Sequence, residues 1–295
     1  ALIEAYNPTH LIIHTPVRGI FRWSIRKNVK TIGILADSFL NRSLRGKIRN
    51  YHLATLLNHN RIEWISNHGI NSCLSLKEIG VNPNKIIPWD FPYTITPTSF
   101  TPKTLRVDAN SWTLLYVGSI SHSKGVGDIL EAVARLRNNN FPVSLKIAGS
   151  GQVDYFINQV KKLKISNLVE FLGLVPHDTV LNLMRESDLV LIPSRHEYPE
   201  GLPLTIYEAL TARTPIVASD HPMFRGNLQP DVSAVIFPAG DSIALAESIE
   251  KLLSNPNLYH SLSLASNDAW NRLQIPVKWD ELINRWIGDS PENQQ

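Results

Sequence analysis

Short apolar runs alternate with amphipathic stretches through the second half of the chain. Runs that end in Gly, Pro or a polar residue indicate buried strands, and they occupy residues 114–118, 143–149, 169–173, 189–193, 215–218 and 234–237. Apolar positions at helical spacing predict helices at 126–136, 156–163, 180–185, 204–210 and 243–253. This alternation with short turns is typical of a parallel, doubly wound α/β sheet.

The first hundred residues are less regular. Apolar runs predict buried strands at residues 10–14, 31–35, 61–65 and 85–87, whereas residues 88–103 carry four prolines and little periodicity. We therefore expect a partial first domain with its linker at 1–103, a complete second domain at 104–276, and an amphipathic terminal helix within 277–295.

Composition narrows the class of protein. The 295 residues are 43% hydrophobic and 19% charged, which indicates a folded chain with a sizeable core. The single cysteine, Cys73, excludes an intramolecular disulfide framework and a cysteine-based zinc site. No apolar run approaches the ~18 residues of a membrane-spanning helix. These features favour a cytoplasmic protein.

Charge is unevenly distributed. The net charge is only +3, but residues 18–49 hold nine basic side chains and one acid, which leaves −5 for the rest of the chain. In the absence of a specific function, this segment would be a solvated face of the protein. The functional interpretation is an anionic partner, either an acceptor or the inner face of a membrane, with Phe21, Trp23 and Phe39 interleaved among the cations. Nucleic acid is disfavoured, because no binding module of that kind is present.

The strongest chemical signal is a pair of carboxylates, Glu200 and Glu208, eight residues apart. Pro203 suits the first helical position, so the N–H groups of Leu204 and Thr205 would face outward as an anion site for a diphosphate. Gly201 would let a ligand approach the backbone. With a helix rise of ~1.5 Å per residue, the two glutamates would be ~12 Å apart and serve different ends of one ligand. A pair at this spacing also arises by chance.

A second signal follows the first predicted strand of the second half. Gly118 permits a tight turn, and Lys124 can reach a phosphate as a mobile point charge. The loop has neither the dinucleotide-binding glycine pattern nor the P-loop spacing. The alternative is therefore that Lys124 is an ordinary surface lysine without a ligand. The turn at 148–151 is more often structural than ligand-binding.

The run from about Leu114 to Leu253 resembles the C-terminal domain of family-4 retaining glycosyltransferases of the GT-B fold. The resemblance rests on six ordered blocks: 116–118 with Lys124, 147–151, 170–173, 191–194, Glu200 to Glu208 with the following Ala, and 214–220. It covers about half of the chain strongly and the first hundred residues loosely. It implies two Rossmann-like domains, the first of them incomplete in this chain.

The resemblance implies a role for each matching position. Glu200 would contact the donor sugar, Glu208 the ribose, and Lys124 the diphosphate. Backbone from Gly173 to Val175 would contact the base, and the terminal helix would cross back to the first domain. The remaining donor-binding positions implied are Gly118, Ser119, Arg195, Gly201, Leu202, Pro203, Leu204 and Thr205.

The activity implied is retaining transfer of a sugar from a nucleotide diphosphate sugar to a hydroxyl acceptor, in cell-envelope polysaccharide biosynthesis. The acceptor is a glycan, a lipid-linked molecule or a small molecule. No metal and no further cofactor are expected.

The chain departs from the family pattern at several positions. The family has Arg where Ser119 stands, so Lys124 would act alone or with Arg195, and Ala36 replaces a histidine that faces the sugar. The acceptor-side candidates are therefore His14 and Asp37, although a strand-end histidine is more often structural. Neither the first strand of the family nor its Gly-rich loop precedes His10, so we expect several βα units to be missing. The alternatives are a non-catalytic nucleotide-sugar-binding subunit, a GT-B epimerase and a phosphorylase.

Overall fold

The chain forms two compact units in a computed structural model that describes residues 2–40, 43–106 and 110–288. The first unit comprises residues up to Tyr93, the short segment Pro199–Leu202 and residues from Gln274 onward, and the second comprises Thr94–Tyr198 and Pro203–Leu273. Arg42, one of the nine cations of the basic segment, lies outside the described residues.

The first unit is built on a parallel sheet whose four strands follow chain order, β1-β2-β3-β4. Parallel neighbours need a crossover, and here helices provide it. The strands are β1 (His10–Ile13), β2 (Lys30–Leu35), β3 (Ile62–His68) and β4 (Ile86–Trp89). The helices are α1 (Leu2–Tyr6), α2 (Arg18–Lys27), α3 (Leu44–Leu57) and α4 (Ile70–Glu78), with a 3-10 turn at Pro83–Lys85.

Strand β4 extends into the residues predicted to be linker. Pro88 pairs with Asn67 of β3, and Trp89 pairs with His68. Among the described strands β4 stands at one end of its sheet order, and a proline without an N–H is tolerated on such an edge. Of the four prolines that suggested an irregular linker, Pro88 therefore belongs to an edge strand, which ends at Trp89.

The aromatic residues of the basic segment lie inside the first unit. Phe21 of α2 is fully buried, and Phe39 is nearly so, in one core with Leu53 and Leu57 of α3. The indole of Trp23 donates a hydrogen bond to Glu4. The expectation that Phe21 and Phe39 reach an external surface is therefore wrong, because the apolar side of α2 packs on the sheet.

The terminal helix belongs to the first unit. Helix α11 (Trp279–Gly288) buries Leu282 and Trp286 against Ile32 and Ile34 of β2 and Trp89 of β4. Lys30 of β2 donates to the carbonyl of Trp286 at 2.8 Å. The last described helix thus packs on strands that lie about 190 to 250 residues earlier in the chain.

A buried carboxylate ties this helix to the sheet. Asp90, directly after β4, is fully buried; its Oδ2 lies 3.2 Å from Lys278 Nζ, and its Oδ1 lies 3.2 Å from His68 Nε2. The hydroxyl of Tyr93 also donates to Oδ1. Burial alone raises the pKa of Asp90, but the hydrogen bond from His68 and the charge of Lys278 outweigh burial and hold the pKa below its usual range. Asp90 is therefore a charged anchor for the segment before α11.

The second unit has a six-stranded parallel sheet in the order β10-β9-β8-β5-β6-β7. This arrangement confirms the predicted parallel α/β sheet and places β5 and β8 side by side, where the chain reverses its direction of growth across the sheet. The strands are β5 (Trp112–Val117), β6 (Val143–Ala148), β7 (Val169–Gly173), β8 (Leu189–Ile192), β9 (Ile216–Ser219) and β10 (Val235–Phe237).

The helices of the second unit follow the predicted amphipathic stretches, with one addition. They are α5 (Val126–Asn138), α6 (Val153–Lys162), α7 (His177–Glu186), α8 (Leu204–Thr211), α9 (Ser242–Leu253) and α10 (Pro256–Leu273). Helix α10 was not predicted, because Ser263 and Ser266 interrupt its apolar face. Both serines are buried, and their hydroxyls donate to the backbone carbonyls of Arg213 and Leu262.

We predict that Asp90→Ala lowers the free energy of unfolding of the first unit by about 3 kcal/mol or more. The substitution leaves the Lys278 ammonium facing a cavity in place of its carboxylate, and breaking a buried ion pair costs about that much. Chemical denaturation monitored by tryptophan fluorescence measures it.

Asp231→Ala is the matched control, because the Asp231–Lys251 pair at 2.8 Å is about half exposed on both sides. An exposed pair contributes about 1 kcal/mol or less. Equal effects of the two substitutions would contradict the anchoring role of Asp90.

Candidate functional site

The predicted donor loops of the second unit meet where the strand order reverses. The loop after β5 runs from Gly118 to Gly125, and the segment after β8 begins at Pro193. Because β5 and β8 are adjacent and parallel, both loops leave the same edge of the sheet. Ligands of open parallel sheets bind at this kind of position.

Glycines allow these loops to touch through their backbones. A Cβ on Gly125 would lie 2.1 Å from the carbonyl oxygen of Pro193, and one on Gly149 would lie 1.8 Å from the oxygen of Gly118. Gly151 is equally close to Ile120, whose N–H donates to the Ser150 carbonyl at 2.7 Å. The turn at 148–151 therefore packs against the loop after β5, which agrees with its interpretation as a structural turn.

Lys124 lies at the end of the first of these loops. Its ammonium nitrogen is 4.2 Å from the ring centroid of Tyr198, which belongs to the segment after β8. The Arg195 N–H donates to the Ser123 carbonyl at 2.9 Å, and this bond joins the two segments beside Lys124. The backbone of the loop after β5 and the ring of Tyr198 thus restrict the position of the Lys124 ammonium.

Arg195 is already paired within the protein. Its guanidinium donates to both carboxylate oxygens of the buried Asp128, at 2.5 and 2.9 Å, and its Nη1 lies 2.8 Å from His122 Nε2. The hydrogen bond to Asp128 raises the pKa of Arg195 further. A forked pair of this kind holds the segment after β8 against α5. A direct role for Arg195 toward an anion stays a prediction.

Helix α8 begins at Leu204, at the start of the predicted range, but Pro203 is not its first helical residue. Pro203 has ψ 136°, so it precedes the helix as its N-cap, and Leu204 is the first helical residue. The N–H groups of Leu204 and Thr205 belong to the first turn, where no intrahelical acceptor exists. Glu208 is four residues into the helix, ~6 Å along its axis from Leu204.

Glu208 lies beside the loop predicted to contact a base. Its Oε1 is 3.2 Å from Nδ1 of His177, the first residue of α7. His177 is 80% exposed and lies two residues after Gly173–Val175, the segment at the end of β7. Burial raises the pKa of Glu208, and His177 offsets part of that rise when protonated. The structure therefore brings Glu208 and the Gly173–Val175 loop together through a histidine that the motif did not indicate.

Within the second unit, the other predicted positions also fall at this edge. Gly118 has φ +152°, and the Ser119 carbonyl accepts a 2.7 Å hydrogen bond from the Tyr116 hydroxyl. The Gly173 carbonyl accepts from the Gly149 N–H at 2.7 Å, and Val175 is half-buried.

Glu200 and its neighbours group with the first unit. Glu200 is only 5% exposed and forms an antiparallel bridge with Asp37, the acceptor-side candidate after β2. Burial, with a contribution from the Glu200 charge, raises the pKa of Asp37. The structure thus brings these two predicted residues together, and His14 lies exposed just after the adjacent strand β1.

Gly201 serves the protein's own packing. A Cβ there would lie 2.3 Å from the carbonyl oxygen of Ala36, so a glycine is required for this close packing, and its role toward a ligand stays a prediction. Leu202 is buried against Gly69. Substitution of Gly201 would therefore displace the neighbouring backbone at Glu200 and Asp37.

Sequence reasoning missed the aromatic and histidine partners of the site. Tyr198 and His177 lie between recognisable motif positions, and their partners are 74 and 31 residues away in the chain. His221 was also missed: its Nδ1 accepts from the Met223 N–H, so Nε2 carries the proton donated to the Tyr198 carbonyl at 3.1 Å. No local pattern reports such contacts.

Within 2–40, 43–106 and 110–288, no group of three or more His, Cys, Asp or Glu side chains is arranged to hold a metal ion. None of the helices in those ranges has the length and apolarity to cross a membrane.

The chain is similar to a known protein family and to individual proteins. A family model described as "Glycosyl transferases group 1" matches residues 98–267. Glycogen synthase of Mycobacterium tuberculosis is 33% identical over 144 residues, which are 48% of this chain and 34% of that protein. An uncharacterised glycosyltransferase of Methanocaldococcus jannaschii is 31% identical over 212 residues, 69% of this chain and 51% of that one. The chain thus spans about a third to a half of these relatives' length.

A solved structure supports the fold. HepE of Anabaena in complex with UDP superposes with a TM-score of 0.73 and 18% identity, covering 98% of this chain and 79% of HepE. The same protein was also solved with UDP-glucose. Two Rossmann-like parallel sheets and this likeness confirm the predicted GT-B fold class.

We predict that Gly125→Ala destabilises the second unit by about 2 kcal/mol or more. The residue has φ +75°, and its new methyl group would collide with the Pro193 backbone, so both strain and displacement contribute. Thermal unfolding measures the loss.

Gly127→Ala is the matched control two residues along the chain. It lies inside α5, and its Cβ would meet only the Phe156 ring, at 3.8 Å. Alanine is the better helix former, so this substitution should stabilise by about 0.5–1 kcal/mol. If the two substitutions changed the stability by the same amount and in the same direction, the contact with Pro193 would not restrict the side chain at position 125.

Proposed function

The chain belongs to the glycosyl transferases group 1 family, and we propose that it is a retaining glycosyltransferase that moves a sugar from a nucleotide diphosphate sugar to a hydroxyl acceptor. One observation carries the proposal. At the reversal of the strand order, the Lys124 ammonium lies over the ring of Tyr198, and helix α8 of the same unit begins six residues after Tyr198 and carries the carboxylate of Glu208. A cation, N–H donors and a carboxylate are the groups that a diphosphate joined to a ribose requires.

The leaving diphosphate is stabilised by fixed positive groups. Lys124 supplies a full charge, and the first N–H groups of α8, at Leu204 and Thr205, supply hydrogen bonds and the positive end of the helix dipole. Such preorganised donors stabilise charge that develops as the bond to the sugar breaks. We expect the reaction to need no metal ion, because these groups neutralise the diphosphate themselves.

The nucleoside end is assigned to the Glu208 side of the same unit. The ~6 Å of helix rise between Leu204 and Glu208 suits the step from a diphosphate to the ribose hydroxyls. His177 is largely exposed, so it can leave Glu208 when a ribose binds. The Gly173–Val175 backbone follows as the contact of the base. HepE was solved with UDP and UDP-glucose, so uridine nucleotides are the first donors to test.

The sugar and acceptor are assigned to the carboxylates of the first unit. Glu200 orients the sugar, as the family resemblance implies, and its bridge to Asp37 puts a second carboxyl beside it. Asp37, with its raised pKa, is suited to hydrogen-bonding an acceptor hydroxyl. The acceptor proton passes to the departing phosphate oxygen, a step that the family suggests. His14 is a further candidate on the acceptor side.

The alternative of a different class is a non-catalytic subunit that binds the nucleotide-sugar. Ser119 and Ala36 favour it, because they replace the arginine and histidine of the family pattern. Donor binding without turnover would select this alternative.

The decisive test is donor turnover by the complete protein and its variants. We predict that Lys124→Ala lowers kcat/KM roughly 100-fold or more, since it removes a preorganised charge, and that Glu200→Gln also lowers kcat. Lys161→Ala, on an exposed position of α6, is the control and should not change turnover. Unchanged turnover in Lys124→Ala and Glu200→Gln would refute the site assignment.

We also predict that Tyr198 positions the Lys124 ammonium. Tyr198→Leu removes the ring 4.2 Å from the ammonium and should raise the KM for the donor about 3- to 10-fold, while Tyr198→Phe, which keeps the ring, should leave the KM near wild type. Steady-state kinetics of both variants measure this difference. Equal effects of leucine and phenylalanine would assign the role to the hydroxyl and refute the ring contact.

A further inference from the structure

Helix α3 of the first unit has a conventional buried face. Leu53, Ala54 and Leu57 pack in the core beneath the sheet, and Gly46 and Asn50 are buried beside them. The Asn50 side chain donates to the Phe39 carbonyl at 2.7 Å, which fixes the rotation of the helix. The opposite face is therefore held outward by internal contacts.

That outward face carries an apolar stripe. Leu44 is 74% exposed, Ile48 is 52% exposed and Tyr51 is 69% exposed. Their spacing of four and three residues places them on one side of the helix. Ser43 caps the helix by accepting from the Gly46 N–H at 3.1 Å, so Leu44 is the first helical residue and not a frayed end. Exposed apolar residues in one row, rather than scattered singly, mark an interaction surface.

Cations flank the stripe on both sides. At about 100° per residue, Lys47 projects on one side of it, and Arg45 and Arg49 project on the other. All three are exposed, and α3 contains no acidic residue. Helix α2, which packs beside α3, adds the exposed Arg22 and Arg26.

We propose that the outward face of α3 docks the protein on an anionic lipid bilayer. Leu44, Ile48 and Tyr51 enter the boundary between headgroups and acyl chains, and Arg45, Lys47 and Arg49 contact lipid phosphates. A central apolar row between two cationic margins, with no acid, matches the charge and the layering of an anionic membrane surface. This surface belongs to the first unit alone, and it replaces the buried Phe21 and Phe39 as the apolar part of a membrane contact.

Vesicle flotation tests the proposal with the whole chain. Phosphatidylcholine vesicles containing phosphatidylglycerol should carry the protein upward, and pure phosphatidylcholine vesicles should carry much less. Leu44→Gln, Ile48→Gln and Tyr51→Gln combined should reduce partitioning roughly tenfold or more, because their apolar groups no longer enter the interface. Arg45→Gln, Lys47→Gln and Arg49→Gln combined should reduce it roughly a hundredfold, at about 1 kcal/mol per cation.

Matched variants in the second unit provide the controls. Tyr155, Ile243 and Leu264 are exposed to a similar degree, so their combined change to glutamine removes the same three residue types elsewhere. Lys161→Gln with Lys162→Gln removes exposed cations from α6. Both controls should float like wild type. Thermal unfolding with and without UDP, unchanged in the α3 variants, separates loss of docking from misfolding and from failure of the proposed donor site.

Three results would overturn the proposal. These are equal flotation with neutral and anionic vesicles, unchanged flotation of the apolar α3 variant, or a concentration-dependent dimer in sedimentation that this variant abolishes. The last result would assign the stripe to a second copy of the chain.

Discussion

At the point where the second sheet reverses its strand order, three loops run so close together that their backbones touch. Gly125 lies against the Pro193 carbonyl, and Gly149 lies against that of Gly118, at distances that no side chain permits. This close approach holds the loop of Lys124 beside the segment of Tyr198, so that the ammonium lies 4.2 Å from the ring centroid. The chemistry proposed for the second unit therefore depends on a packing constraint that any Cβ would violate.

The sequence was sufficient for the fold class and for most of the second unit. Its apolar runs and glycine turns predicted β5 to β10, of which β8 and β9 are buried at every position and therefore show an unbroken apolar run. The sequence was insufficient where polar residues are buried. It was also insufficient where a proline is compatible with two local structures. Ser263 and Ser266 concealed α10, Pro88 stood in an edge strand, and Pro203 capped a helix instead of opening it.

The sequence predicted the motif residues of the site, but it did not predict their contacts with residues that are distant in the chain. The motif identified Glu208 and Lys124, but the partners His177 and Tyr198 are set by the tertiary arrangement of loops. Gly201 illustrates the same limit, since the sequence did not predict its close packing against the Ala36 carbonyl. Charge counting located the basic segment, yet only burial distinguished the core residues Phe21 and Phe39 from the outward row on α3.

The central claim is that Lys124 and the start of α8 bind a diphosphate. Calorimetric titration of the chain with uridine, UMP and UDP tests it most directly, with wild type and Lys124→Ala compared. The account predicts that affinity rises from UMP to UDP in wild type, and that Lys124→Ala loses about tenfold for UDP while changing little for uridine. Equal UDP affinity in wild type and Lys124→Ala would contradict it.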